Sequence, residues 1–140
     1  MALRVDLTFD CARAVELAQF WKLALGYVDE PPPAPFRTRE EWAASFGPPG
    51  DDEGGGAWLH DPEGIGPRLV FREVPEPKVA KNRLHIVVRG GRAGSAGQVW
   101  ARVEGKVAEL VAAGATVLTV AGTHHVVMAD PEGNEFCVAG

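Results

Sequence analysis

The sequence predicts an α+β protein built from two copies of one βαβββ unit. Periodic segments occur in the order strand, helix and hairpin, and then strand, helix and three strands. An offset of 79 residues places Asp6 on His85 and aligns the arginine and apolar residues around them. The turn sequence Asp-Pro-Glu-Gly also occurs twice, at residues 61–64 and 130–133. We therefore expect the same unit to occur twice along the chain.

The first unit is predicted to begin with a strand and a helix. Apolar and polar residues alternate from Leu3 to Asp10, which is the pattern of a strand with one face in the core. Asp10 is a candidate N-cap for a helix that runs to about Leu25. Gly26 is suited to ending that helix, because glycine readily adopts the left-handed conformation found there.

Residues 29–56 interrupt the first unit and contain six of the 11 prolines. Thr38 and Glu41 match the S/T-x-x-E capping box, which predicts a short helix with Trp42 and Phe46 on one face. Long irregular segments are often functional, so these two aromatic residues are candidates for a lid over a ligand. The alternatives are a plug at a sheet edge and a dimer contact.

The remaining segments complete the two units. A hairpin follows the insertion, with strands at 57–60 and 68–74 joined by the first Asp-Pro-Glu-Gly turn. Apolar residues at helical spacing from Trp100 to Val111 predict a helix that stops at Gly114. Strands are expected on both sides of this helix, at residues 83–89, 116–120, 124–128 and 135–138.

Composition excludes several classes of protein. The 140 residues, 46% hydrophobic and 24% charged, are typical of one globular domain, and no apolar run is long enough to span a membrane. A net charge of -5 without a basic cluster argues against nucleic-acid binding. The N-terminus lacks the pattern of a secretion signal, and two cysteines are too few for a disulfide scaffold. We expect a soluble cytoplasmic protein with free thiols.

Three segments, in this order, are similar to the vicinal oxygen chelate superfamily of glyoxalase and bleomycin-resistance proteins. They run from Asp10 to Gly26, from Val74 to His85 and from Asp130 to Val138. The resemblance implies a single glyoxalase-like domain over residues 1–140, with module one at about 1–78 and module two at about 79–140. It also implies a curved mixed sheet with flanking helices, a cavity for a small organic molecule, and pairing into a homodimer.

The resemblance further implies metal-ligand positions on the first and last strands of each module. Three of them fall on Asp6, His85 and Cys137, whereas the fourth falls on Val70 or Phe71, which cannot bind a metal. Three protein ligands with one open position suit a catalytic divalent ion such as Zn, Fe, Ni or Mn. The other interpretation is that Asp6 and His85 form a polar pair in the cavity. The incomplete set argues against strict glyoxalase I chemistry.

Several other residues are candidates for contact with a substrate. His85 suits a general base because the ordinary pKa of histidine is near neutrality, and Asp6 is its expected catalytic partner. Arg72 is expected either to bind a ligand carboxylate or phosphate or to face solvent. Glu135 lies two residues before Cys137 on the same strand face. His124 and His125 point to opposite faces, so we predict that one of them, taken as His125, faces the cavity.

Two functions follow from these features. The first is a glyoxalase-like enzyme, of the lyase, isomerase or dioxygenase type, that acts through Asp6 and His85 with or without a metal. The second is a non-catalytic protein that binds a small molecule or an antibiotic, as resistance proteins of the superfamily do. Kinship of fold does not decide between them. The apolar residue at the fourth ligand position favours the binder or a metal-free enzyme.

Overall fold

The computed structural model describes residues 1–47 and 55–140, so residues 48–54 of the predicted insertion lie outside the described part of the chain. The described residues form eight strands and three helices. In chain order these are β1 Asp6–Cys11, α1 Ala14–Leu25, β2 Val28–Asp29, α2 Arg39–Ala44, β3 Gly56–His60, β4 Arg68–Glu73, β5 Val87–Arg89, α3 Ala96–Ala112, β6 Thr116–Ala121, β7 His125–Ala129 and β8 Glu135–Ala139.

The chain divides into two compact units. Unit 1 comprises residues 1–18 and 26–77, and unit 2 comprises residues 19–25 and 78–140. The sheet of unit 1 has the strand order β1-β4-β3-β2, and that of unit 2 has the order β5-β8-β7-β6. In each sheet the first and last strands of the unit pair in parallel, and the other neighbours pair antiparallel. The two sheets therefore have the same topology, which confirms the predicted α+β fold with two βαβββ modules.

The first strand begins three residues later than its sequence pattern predicts. Leu3 and Val5 are 90% and 61% exposed, and pairing starts where Asp6 lies opposite Arg68. Pro67 directly precedes Arg68 and has no backbone N–H to donate to a further ladder bond. The alternating pattern therefore continues beyond the point where a partner strand is present.

The start of α1 is capped by another strand and not by Asp10. Asp10 remains in β1, opposite Arg72 of β4. The carboxylate of Glu73 accepts hydrogen bonds from Ala14 N at 3.1 Å and from Gly55 N at 2.9 Å. A negative group at a helix N-terminus satisfies a free backbone donor. The end of α1 is as predicted, since the helix stops at Leu25 and Gly26 has a φ of 69°.

The core of unit 2 contains aromatic residues from the second half of α1. Trp21 and Phe136 are each 1% exposed, and their rings meet edge to face with centroids 5.0 Å apart. Helix α3 begins with a complete capping box, in which Ser95 and Gln98 each accept a backbone N–H from the other. Val103 and Leu110 of this helix are buried, as the helical spacing predicts.

Candidate functional site

A cavity of about 760 Å³ lies in unit 1, beside the residues where β1 and β4 begin. This volume is within the range of small-molecule sites. One part of its wall is apolar, formed by Leu3, Val5, Leu7, Pro31, Ile65 and Pro67. The polar part contains Arg4, Asp6, Glu30, His60, Asp61 and Arg68.

Arg68 is the centre of the charged wall. Its Nε and Nη2 donate to the two carboxylate oxygens of Glu30, each at 2.7 Å, and its Nη1 donates to Asp6 Oδ2 at 3.4 Å. The paired geometry fits the guanidinium fork to a carboxylate. The hydrogen bonds from Arg68 hold the pKa of Glu30 below its usual value, and the same bonds raise the pKa of Arg68.

Arg39 contacts Glu30 from the inserted helix α2. Its Nη2 lies 2.9 Å from Glu30 Oε2 and 3.2 Å from the backbone oxygen of Pro31. The guanidinium also lies over two indole rings, 4.2 Å from the centroid of Trp58 and 5.0 Å from that of Trp42. Such stacking is a favourable cation–π arrangement. Helix α2 is therefore joined to two residues of the cavity wall.

Asp61 and His60 form another part of the wall, at the end of β3. The Asp61 carboxylate accepts backbone N–H groups of Glu63, Ile65 and Gly66 at 2.8 to 3.1 Å. These bonds lower the pKa of Asp61, and the bond from Gly66 has the largest effect on it. His60 Nδ1 is buried and has no hydrogen-bond partner within residues 1–47 and 55–140.

Sequence reasoning did not select the main polar residues of this cavity apart from Asp6. Arg68 follows the first Asp-Pro-Glu-Gly turn, and its position at the start of a strand opposite Asp6 was the available signal. Glu30 lies in the irregular segment between β2 and α2, and no local pattern distinguishes it from the other acidic residues. Its role depends on contacts with residues 9 and 38 positions away along the chain.

His85, the predicted general base, lies in unit 2 and precedes β5 by two residues. The strand predicted from residue 83 begins only at Val87. In the segment before it, the side chains of Glu135 and His85 contact the backbone of Asn82. Glu135 accepts the N–H of Asn82, and His85 Nε2 lies 3.2 Å from the Asn82 oxygen. His85 Nε2 also lies 2.9 Å from Lys81 Nζ.

Glu135 and Cys137 both lie on β8, and both are half-buried. Glu135 accepts the backbone N–H of Asn82 at 2.9 Å and pairs with Lys78 Nζ at 3.1 Å. The backbone bond from Asn82 is the main reason that the pKa of Glu135 falls to about 2. Glu135 thus links β8 to the segment that carries His85. Cys137 lies opposite Val87 in the β5–β8 ladder.

The other predicted ligand-binding residues lie outside the wall of the unit 1 cavity. Arg72 is exposed and pairs with Asp10 at 2.9 Å. Trp42 and Phe46 of the α2 region meet edge to face at 5.1 Å, and Trp42 packs in the same way on Trp58 at 5.7 Å. His125 begins β7 in unit 2 and is half-buried, whereas His124 is exposed in the turn before it.

Two of the three predicted metal ligands are engaged with other groups of the protein. Asp6 is paired with Arg68, and the Nε2 atom of His85 faces Lys81 and Asn82. In the two described ranges of the chain, no group of three or more His, Cys, Asp and Glu side chains is arranged to hold a metal.

The strand registers show which residue of unit 1 corresponds to Cys137 of unit 2. The offset of 79 residues that places Asp6 on His85 also places Thr8 on Val87. Thr8 lies opposite Val70, and Val87 lies opposite Cys137. Val70 is therefore the counterpart of Cys137, and it offers no donor atom.

Two βαβββ units with this strand order define a protein of the vicinal oxygen chelate type. The chain belongs to the family described as glyoxalase-like domain, whose sequence profile matches residues 6–139. No curated protein sequence matches the chain.

Solved structures of this class share the fold. A glyoxalase/bleomycin resistance protein/dioxygenase family enzyme from Burkholderia phytofirmans has a TM-score of 0.62 at 13% identity, with 96% of this chain and 97% of that chain covered. A glyoxalase-related enzyme from Fulvimarina pelagi has a TM-score of 0.60 at 17% identity, with 99% of this chain and 88% of that chain covered.

The fosfomycin resistance protein FosX from Listeria monocytogenes is also similar in fold. Its TM-score is 0.65 at 8% identity, with 100% of this chain and 92% of that chain covered. That protein is complexed with Mn(II) and 1S,2S-dihydroxypropylphosphonic acid. At these identities the likeness establishes the fold and not the ligand.

No helix within residues 1–47 and 55–140 is both long enough and apolar enough to cross a bilayer.

Proposed function

We propose that this protein binds a small organic molecule in the cavity of unit 1 as a non-catalytic binder. The observation that carries the proposal is a cavity of about 760 Å³ whose carboxylates are already bound by hydrogen-bond donors. The superfamily includes proteins that hold ligands and proteins that transform them, so the choice depends on the chemistry of this wall.

The apolar part of the wall supports binding of a molecule with a hydrophobic body. Leu3, Val5 and Ile65 line the cavity and are largely exposed to solvent. A ligand that covered these side chains would remove apolar surface from water, which is worth roughly 25 cal/mol per Å². The polar residues beside them are suited to fixing its orientation.

The polar part of the wall favours binding over proton abstraction. A general base works best with a pKa near the working pH, but the pKa values of Glu30 and Asp61 are both lowered from their ordinary acidic values. Asp6 is also paired with Arg68. Two of the predicted metal ligands are engaged in other contacts, Asp6 with Arg68 and His85 with Lys81.

The binding proposal is tested with the neutral fluorescent probe N-phenyl-1-naphthylamine. We expect saturable binding with one site per chain. The substitution Val5→Ser removes apolar surface from the cavity wall, so the probe should bind about fivefold more weakly, the equivalent of about 1 kcal/mol. The matched control is Leu118→Ser on β6 of unit 2, where another exposed apolar side chain lies outside the cavity.

An unchanged affinity in Leu118→Ser together with a loss in Val5→Ser supports binding in this cavity. Equal affinity in Val5→Ser and the unmodified protein would overturn it. The enzyme alternative is examined by NMR of mixtures of small metabolites incubated with the protein. Conversion of a metabolite that is lost in His85→Ala would replace the non-catalytic proposal with the predicted enzyme.

A further inference from the structure

We propose that Arg39 of the inserted helix is a positioning residue for the cavity, because it fixes Glu30 and through it the guanidinium of Arg68. The expected effect of Arg39 on ligand binding rests on the proposed function, whereas its contacts with Glu30 do not. Arg39 does not line the cavity itself, whereas Glu30, Pro31 and Arg68 do. The inserted helix would therefore restrain the charged residues of the wall from outside the cavity.

The contacts of Arg39 converge on one short segment of the wall. Its Nη2 lies within 2.9 to 3.3 Å of three oxygen atoms, namely Glu30 Oε2, the Glu30 backbone oxygen and the Pro31 backbone oxygen. The backbone N–H of Glu30 is held in addition by the oxygen of Trp58 at 2.9 Å. Both the side chain and the backbone of Glu30 are thus restrained from the side of β3 and α2.

The position of Arg39 is itself determined by aromatic packing. Its guanidinium lies over the rings of Trp58 and Trp42, and Trp42 packs edge to face on Trp58. Its Nε is buried and has no hydrogen-bond partner in the described part of the chain. A buried donor without a partner is unfavourable, so the stacking and the Nη2 contacts must outweigh that loss.

Glu30 transmits this restraint to Arg68. One carboxylate accepts from two guanidinium groups, and Glu30 Oε2 is shared between Arg39 at 2.9 Å and Arg68 at 2.7 Å. Arg68 in turn reaches Asp6 at the opposite end of the cluster. Without Arg39, Glu30 would keep its bonds to Arg68 and the backbone bond to Trp58, but its carboxylate would lose the contact from α2.

The test uses Arg39→Ala and Arg39→Lys, with Arg37→Ala as the matched control because Arg37 is an exposed arginine two residues away. The first measurement is the NMR signal of the Arg68 Nε–H, assigned by its loss in Arg68→Lys. We expect this signal to shift and its hydrogen exchange to become about tenfold faster in Arg39→Ala. Lysine restores one charge contact but not the planar stacking, so Arg39→Lys should give an intermediate value.

The second measurement is the affinity for N-phenyl-1-naphthylamine, which should fall about threefold in Arg39→Ala and remain unchanged in Arg37→Ala. Together the two measurements distinguish a failure of the binding proposal from a failure of the positioning proposal. If the unmodified protein does not bind the probe but the Arg68 signal responds to Arg39, binding fails and positioning stands. If Arg39→Ala lowers the melting temperature while the Arg68 signal and the probe affinity stay unchanged, Arg39 is only structural and the inference is overturned.

Discussion

The two Asp-Pro-Glu-Gly turns have the same local structure but different surroundings. In each turn the aspartate Oδ1 accepts the N–H of the glutamate, at 2.8 Å for Asp61 and 2.9 Å for Asp130. In each the glycine N–H bonds to the aspartate backbone oxygen, and the glycine has a positive φ, 72° at Gly64 and 85° at Gly133. The tetrapeptide thus forms the same turn at both places in the chain, through hydrogen bonds within the turn itself.

What differs is the environment of the carboxylate. Asp130 is 3% exposed, and its Oδ2 accepts the indole N–H of Trp21 at 3.0 Å and the side-chain amide of Asn134 at 2.9 Å. Asp61 lies at the edge of the unit 1 cavity and accepts only backbone donors in the described contacts. One copy of the turn therefore serves the core of unit 2, and the other shapes the wall of a cavity.

The largest expected effect is the contrast between Asp130→Ala and Asp61→Ala. The first change removes the buried carboxylate that accepts the indole N–H of Trp21 and the side-chain amide of Asn134, so we expect a loss of about 3 kcal/mol in the free energy of unfolding. Asp61→Ala should lose clearly less free energy of unfolding, because water can reach the backbone N–H groups that Asp61 accepts. Urea denaturation measures both, and equal losses would contradict the assignment of different roles.

The glycine of each turn should show a smaller effect that is equal in the two units. Gly64→Ala and Gly133→Ala both place a Cβ in open space at positive φ, so only backbone strain is expected, about 1 kcal/mol each. Gly105→Ala in the middle of α3 is the control, and it should stabilise by up to about 1 kcal/mol. Thermal unfolding of the three variants measures this, and clearly unequal losses would show that the surroundings alter the turn itself.

The smallest effect is expected for the charged wall of unit 1 and depends on pH. Because the pKa of Glu30 lies below its ordinary value of 4.5, the ion pairs stabilise the fold above that value and lose this contribution as the pH falls below it. Glu30→Gln should therefore lower the melting temperature at pH 7 and differ progressively less from the unmodified protein in acid.

The control for this variant is Glu63→Gln, which changes an exposed glutamate of the first turn in the same unit. It should show no comparable pH dependence. A deficit of Glu30→Gln that persists unchanged at pH 3 would show that shape and not charge is responsible.

Local sequence patterns were enough to predict the duplicated topology, the two turns and some of the helix ends. These features depend on hydrophobic periodicity and on short-range hydrogen bonds, as in the Thr38 cap of α2 and the stop of α1 at Gly26. The same patterns also predicted that Asp6 lies in the first strand. The partner of Asp6 could not be predicted in this way, since Arg68 comes from a distant segment of the chain and is itself held by Glu30.

The same distinction explains the cap that the sequence misplaced. Asp10 has the right side chain and position for a local N-cap, but the parallel pairing of β1 with β4 keeps it in the strand and brings Glu73 to the helix instead. A local sequence pattern indicates which interactions a residue is able to make. Which interaction is made depends on the groups that long-range strand pairing brings within hydrogen-bond distance, and no local pattern contains that information.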